Sequence, residues 1–208
     1  MVRRHTEGVA SDETVQRHSD GRIARGERTR DAIVQAHADL LREGVLKPTA
    51  KAIAERAGIS PRTLWINFKD LETLLEATTA YWLDADAALR APVDASLPLS
   101  ERIEQFCRQR ALRLEHLAPA ARSAVLGEPF SAALAAARRE LIKRLRHDLA
   151  ETFPAELEAA GGVDGALCLG LMAAASGMTW SFARNDLGRD IDDATAIMRD
   201  TFTRLLQT

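Results

Sequence analysis

The sequence is poor in the residues that build disulfide frameworks and metal sites. It has two cysteines, Cys107 and Cys168, and five histidines among its 208 residues. Two cysteines do not make a disulfide framework in a chain of this length, and no His or Cys spacing indicates a metal site. We therefore expect two buried thiols in a reducing compartment, with no metal and no cofactor.

Aromatic residues are also scarce, at 5% of the sequence, whereas Ala, Leu, Arg and Glu are abundant. These abundant side chains lose little rotamer freedom in a helical turn, so they favour helices. No segment alternates apolar and polar residues as a half-buried strand does, and no hairpin dipeptide separates apolar runs. The sequence therefore predicts an all-α protein.

Charge of one sign is not in excess, because 28 Lys and Arg residues face 30 Asp and Glu residues and the formal net charge is −2. Bulk charge thus gives no reason to expect a nucleic-acid partner, which would have to be met by a local basic surface. The N-terminal stretch lacks the apolar run of a secretory signal. We expect a cytoplasmic protein.

One uncharged run, residues 165–183, approaches the length of a bilayer span. It is rich in Gly, Ala and Ser, and it lacks basic flanking loops and an aromatic belt. A helix that is apolar on every side is more often buried in a bundle or a subunit interface. We therefore expect no membrane association.

The periodicity of apolar residues divides the chain into three parts. Residues 1–27 are polar and aperiodic and are expected to form a flexible arm. Residues 28–76 contain three short helices and part of a fourth, the first beginning near Arg28. Residues 77–208 carry longer helices typical of a bundle. The arginines that an arm could insert into a DNA minor groove are Arg22, Arg25, Arg28 and Arg30.

Two short helices joined by a glycine turn are predicted within residues 49–68. Thr49 and Ser60 are the expected N-caps, Pro61 fits the first helical position, and Gly58 can turn the chain. The residues that would face inward and lock the pair at a fixed angle are Ile53, Ala54, Ala57, Ile59, Leu64 and Phe68. This is a helix-turn-helix, whose second helix projects as a rod that fits a DNA major groove.

The outward side chains of the second helix have the chemistry of groove contacts. Arg62 can donate to guanine or phosphate, Asn67 can pair with adenine, and Trp65 offers apolar surface to thymine methyls. The other candidate DNA contacts are Thr49, Lys51, Ser60, Pro61, Thr63 and Lys69, through apolar surface, hydroxyls or mobile charge. Core packing stays open as an alternative for Trp65 and Asn67.

The segment TAKAIAERAGISPRTLWINFKDLETLL resembles the DNA-binding segment of TetR-family transcriptional regulators. The positions that carry the resemblance are Thr49, Ile53-Ala54, Ala57-Gly58, Ile59, Ser60, Thr63-Leu64-Trp65 and Phe68. The similarity covers residues 28–76, and the remainder matches only in length and helical character. Trp65 stands where that family usually has Tyr, so the hydroxyl that would reach a phosphate is absent. Tyr or His is common at Asn67 and Lys at Leu71.

The resemblance implies a homodimer whose last two helices, residues 163–183 and 190–206, form much of a four-helix interface. Such a dimer would hold two reading helices about 34–36 Å apart on a palindromic operator in double-stranded DNA. A partly apolar small-molecule effector in the bundle would release a repressor by shifting that spacing. The candidate pocket residues are Trp82, Phe106, Cys107, Phe130, Met172, Met178, Trp180 and Phe182. Core or dimer packing stays open for each of them.

Two other functions stay open at this point. A helical small-molecule-binding protein or enzyme without a DNA role could use the same bundle, but no Ser-His-Asp, paired-acid or glycine-rich phosphate motif supports it, and we expect no enzyme. A membrane-associated protein could use residues 165–183.

Overall fold

The computed structural model describes the backbone of residues 7–207 and the side chains of residues 24–207. Every regular element in this range is helical, which confirms the predicted all-α class. The α-helices are α1 Glu7–Arg42, α2 Ala50–Arg56, α3 Pro61–Asn67, α4 Leu71–Ala88, α5 Leu99–Gly127, α6 Ala132–Thr152, α7 Pro154–Ala159, α8 Ala166–Ala174, α9 Gly177–Ser181 and α10 Ile191–Leu206. A π-helical turn, Phe182–Asp186, follows α9.

The chain divides into two compact units, residues 1–78 and 79–208. The sequence places this boundary between residues 76 and 77. α4 contains the division, so the units are joined within a helix rather than by an irregular linker.

The first helix begins well before the predicted start near Arg28. α1 runs from Glu7 to Arg42, so the expected arm is corrected to a continuation of α1 from Glu7 onward. Residues 1–6, and the side chain of Arg22, lie outside the described residues. α1 can begin this early because no proline interrupts residues 7–27, and a helix that is already packed can be extended residue by residue without an apolar face.

The first unit is built around α1, α2 and α3, which contact one another. Its fully buried side chains include Ile33 on α1, Leu64 on α3 and Leu74 on α4. His37 is also buried there, with its Nδ1 atom 3.0 Å from Thr78 Oγ1. Burial lowers the pKa of His37 to about 4, so the ring is neutral at pH 7.

The second unit packs α5, α6, α8 and α10 against one another. At its centre, Phe106, Phe153 and Phe202 form an aromatic trio with ring centroids between 5.2 and 6.1 Å apart. Offset and edge contacts at such distances stabilise a core beyond the burial of area alone.

The uncharged run is interrupted in the structure. α8 ends at Ala174, and Ser176 caps α9 by accepting a hydrogen bond from the Thr179 backbone N at 3.1 Å. By length and composition Ala166–Asp186 is a candidate membrane span. However, α8 has nine residues and α9 has five, whereas a spanning helix needs about 20. The break favours a bundle segment over a membrane span.

Candidate nucleic-acid interface

Side-chain caps set the start of both helices of the motif. Thr49 Oγ1 accepts a hydrogen bond from the Ala52 N at 3.2 Å, and Ser60 Oγ accepts one from the Thr63 N at 3.1 Å. Pro61 is the first residue of α3, where its missing N–H costs nothing. Gly58 has φ 67°, a left-handed conformation that favours glycine. The predicted caps and turn are confirmed.

The inner face of the motif is closed. Leu64 and Phe68 are completely buried, and so is Ala54, which faces them from α2. Ala57 and Ile59 are half-buried at the turn. This packing leaves the opposite side of α3 as its only outward surface.

A contact from α1 holds the end of α3. Arg30 Nη1 donates a hydrogen bond of 2.8 Å to the Asn67 carbonyl, and the guanidinium lies 4.1 Å from the Phe68 ring centroid. A cation at a helix C-terminus interacts favourably with the helix dipole. The expectation that Arg30 reaches a minor groove is therefore wrong, because its side chain is engaged inside the unit; Arg25 and Arg28 lie exposed on α1.

The outward face of α3 is contiguous. Pro61 and Arg62 are exposed, Trp65 is 42% exposed, and Lys69 is exposed just beyond the helix. Arg62 lies three residues before Trp65, a spacing that puts them on the same side of a helix. Arg62 takes part in none of the hydrogen bonds or ion pairs found among the described side chains. An uncommitted guanidinium therefore stands beside an exposed indole.

Ile66 is 73% exposed on the same face and is not among the contacts predicted from the sequence. The signal was present, because Ile66 lies midway between the buried Leu64 and Phe68 and a helical period turns it outward. It enlarges the apolar part of the face beside Trp65.

Several other candidates are partly committed to their own helices. Asn67 Nδ2 donates to the Thr63 carbonyl at 2.9 Å, which uses one amide N–H and weakens Asn67 as a reader of adenine. The hydroxyls of Ser60 and Thr63 lie 2.9 Å apart. Lys51 lies 3.8 Å from Glu55 in an exposed pair, which contributes little and leaves Lys51 able to move.

Four of the predicted pocket residues are core residues. Phe106, Cys107 and Trp180 belong to one buried cluster, and Met172 packs against it. Trp180 Nε1 donates to Glu115 Oε1 at 2.8 Å, so its polar atom is satisfied within the fold. Burial also raises the pKa of Cys107 to about 12, which leaves its thiol protonated.

The remaining pocket candidates are dispersed. Trp82 is buried and lies 5.3 Å from the His116 ring, whereas Phe130 and Met178 are 89% and 75% exposed. Phe182 is exposed as well. The structure does not bring these residues together around one cavity. They were predicted from residue type, which does not reveal which side of a helix a residue occupies. Among the described residues, no group of three or more His, Cys, Asp and Glu side chains is placed to hold a metal.

The second unit contains a buried charge cluster that was likewise not predicted from the sequence. Arg113 donates to both carboxylate oxygens of Asp86 at 2.8 Å, and through Nη1 to Asp148 at 2.6 Å. Burial lowers the pKa of Arg113, but its hydrogen bonds to the two carboxylates and their charges outweigh burial and raise it. In the sequence, Arg113 stands at helical spacing from the apolar Phe106, and this spacing could have indicated that Arg113 lies on the buried side of α5.

Comparison with known proteins supports the overall fold. The chain is similar to the crystal structure of a transcriptional regulator from Rhodococcus sp. Rha1, with a TM-score of 0.60 and 17% identity over 88% of this chain and 96% of that one. No protein-family model matches the chain, and no curated protein matches it significantly. At this identity the likeness establishes a shared fold.

Proposed function

We propose that the protein is a sequence-specific DNA-binding transcriptional regulator of TetR-like organisation, acting in the cytoplasm, and that the outward face of α3 reads the major groove. The observation that carries this proposal is the pairing of an uncommitted Arg62 with an exposed Trp65 on a short helix fixed by buried Leu64 and Phe68. The regulator with a similar fold adds support.

The chemistry of the face suits a base edge. Arg62 presents a planar fork of donors that matches guanine O6 and N7 or a phosphate. Trp65 and Ile66 offer apolar surface to thymine methyls. Lys51 and Lys69 add mobile positive charge for the phosphate backbone. Bulk charge does not attract DNA to this chain, so the local face has to provide the affinity.

A homodimer is part of the same proposal. α8, α9 and α10, with the π-helical turn, leave apolar side chains uncovered: Leu169, Met178, Phe182, Ile191 and Ile197. Covering such a surface with a second copy is favourable by about 25 cal/mol per Å² of apolar area. A two-fold dimer would present two α3 helices to a palindromic operator.

We also propose that the protein represses and is released by a small molecule, and that it catalyses no reaction. Release requires an effector that binds the DNA-competent and DNA-free arrangements unequally, since equal affinity shifts no equilibrium. A helical binding protein without a DNA role remains the competing function.

A gel shift on DNA upstream of its own gene tests the proposal. The wild-type protein should bind in the presence of excess unrelated DNA. The double variant Arg62→Ala/Trp65→Ala should bind at least about 10–100-fold more weakly, because a good base contact contributes about 1–3 kcal/mol. Arg42→Ala, which removes an exposed arginine from the end of α1, should stay within about twofold. Unchanged binding by the folded double variant would overturn the proposed reading face.

A further inference from the structure

Arg110 on α5 is a buried cation without a carboxylate partner among the described residues. Its side chain is almost completely inaccessible, and its Nε donates to the Ala175 carbonyl at 2.9 Å. No acceptor for its two Nη groups is found in the described part of the chain, and neither Nη is among the fully buried unpaired atoms there, so both keep some contact with solvent. A buried guanidinium normally has partners for its five N–H donors, because burial of an unpaired charge is costly. Burial lowers the pKa of Arg110 to about 10.

The nearby carboxylates are already held by other arginines. Asp86 and Asp148 both bind Arg113, one turn further along α5. Asp148 also accepts from Arg90 at 2.6 Å, and Arg90 pairs with Glu151 as well. Arg110 and Arg113 are like charges on one side of the helix. The arginines Arg90, Arg110 and Arg113 are matched in number by Asp86, Asp148 and Glu151, but none of these carboxylates binds Arg110 directly.

Arg110 lines a small cavity of about 20 Å³ that also contacts the connector between α4 and α5. The charged side chains of its lining are Arg90, Arg110, Arg113 and Asp148, three cations against one anion. Val93 and Phe106 supply apolar walls. The volume holds about one water molecule, but residues 91–93 have no regular structure and Ala91 and Pro92 are exposed. Moving this short segment would enlarge the cavity without breaking a helix.

We propose that Arg110 binds the carboxylate of a small, mainly apolar organic acid, which lodges beneath residues 91–93. The two Nη groups would donate to the carboxylate oxygens in the bidentate geometry that guanidinium favours. The apolar part of the acid would contact Val93 and Phe106. The bound anion would give the Arg110 guanidinium the direct carboxylate partner that it lacks among the described residues.

The site has a direct connection to the helices of the proposed dimer surface. Ala175, whose carbonyl accepts from Arg110, directly follows the end of α8 and lies just before α9, which begins at Gly177. An anion that draws Arg110 toward the cavity would alter this junction. The acid would thereby act as the effector, a step that rests on the proposed function, whereas the binding itself does not.

Thermal unfolding and calorimetry with sodium benzoate and sodium octanoate test the site, with benzamide and octanamide as neutral counterparts at constant ionic strength. At least one of the two carboxylates should raise Tm by several degrees with one-site binding, and its amide should not. Arg110→Leu should remove the response while leaving the unliganded Tm no lower, because it removes a buried charge that has no direct carboxylate partner. Arg108→Leu, an exposed arginine on the same helix, should respond as wild type does.

Arg110→Lys gives a second readout if Arg110→Leu does not fold, and it should bind the carboxylate at least about tenfold more weakly because lysine lacks the planar fork. An equal response to the amides, no response to either acid, or an undiminished response in Arg110→Lys would overturn the site. If a carboxylate binds but leaves DNA affinity unchanged, the effector role fails and the site stands. If the protein binds the acid but no DNA, the proposed function fails and the site again stands.

Discussion

Arg30 of α1 donates a 2.8 Å hydrogen bond to the carbonyl of Asn67, the last residue of α3, and its guanidinium covers the Phe68 ring at 4.1 Å. The two residues are far apart in the chain, so this contact fixes the end of α3 against α1. A cation that meets a helix C-terminal carbonyl and an aromatic face is stabilising on both counts. The rigidity on which the outward face depends comes partly from this contact.

Replacing Arg30 by Ala should therefore destabilise the first unit by about 1–2 kcal/mol. Urea unfolding followed by the fluorescence of Trp65, in a background where Trp82 and Trp180 are replaced by Phe, measures this directly. Arg28→Ala, which removes an exposed arginine from the same helix, should change the stability by less than about 0.5 kcal/mol. Equal effects of the two substitutions would mean that the Arg30 contact does not hold α3.

His37 should make stability depend on pH between about 6.5 and 4. Its folded pKa of about 4 lies below its ordinary value of 6.5, so in this window the unfolded chain binds more protons than the folded one. Stability therefore rises with pH across the window and is lost as pH falls, by of order 3 kcal/mol in full. Urea midpoints at pH 7 and pH 5 should differ more for the wild type than for His37→Leu. A variant with the same pH dependence as the wild type would contradict this assignment.

The caps and the glycine turn of the motif could be predicted because they are local. Thr49 and Ser60 act on residues three positions later, and Gly58 meets a backbone requirement at its own position. The inward placement of Leu64 and Phe68 follows from helical spacing. These interactions span one turn of helix, so the sequence encodes them directly.

The distant contacts could not be predicted in the same way. Arg30 meets Asn67, and Arg113 meets Asp86, across loops and helices whose packing one sequence does not specify. Phe130 was chosen as a pocket residue for its type, but it is almost fully exposed. The burial of Arg113 could have been predicted, because helical spacing alone places this charged side chain on an apolar stripe.

Removing Asp86 should strongly destabilise the second unit. It is fully buried and receives two hydrogen bonds from Arg113, so Asp86→Ala leaves a buried guanidinium with only part of its partners. The expected loss is about 3–5 kcal/mol, measured by chemical denaturation. Asp84→Ala removes an exposed carboxylate from the same helix and should have little effect. Similar stability of the two variants would show that the buried pair is not needed.

The apolar surface of α8–α10 should hold two copies together. Met178→Glu/Phe182→Glu places charges on this exposed surface, so it should give a folded monomer by analytical ultracentrifugation where the wild type is a dimer. Phe130→Glu changes the most exposed large apolar side chain of the described residues and should leave the dimer intact. A wild-type monomer, or a double variant that stays dimeric at the same concentration, would contradict the proposed interface.

Selection of bound fragments from a pool of random double-stranded DNA tests the central claim most directly. The wild-type protein should enrich a palindrome whose half-site centres lie about 10–10.5 base pairs apart, or a multiple of that distance. The folded Arg62→Ala/Trp65→Ala variant should lose that enrichment. If the intact wild-type protein enriches no sequence, or if the variant enriches the same palindrome equally well, α3 does not read DNA.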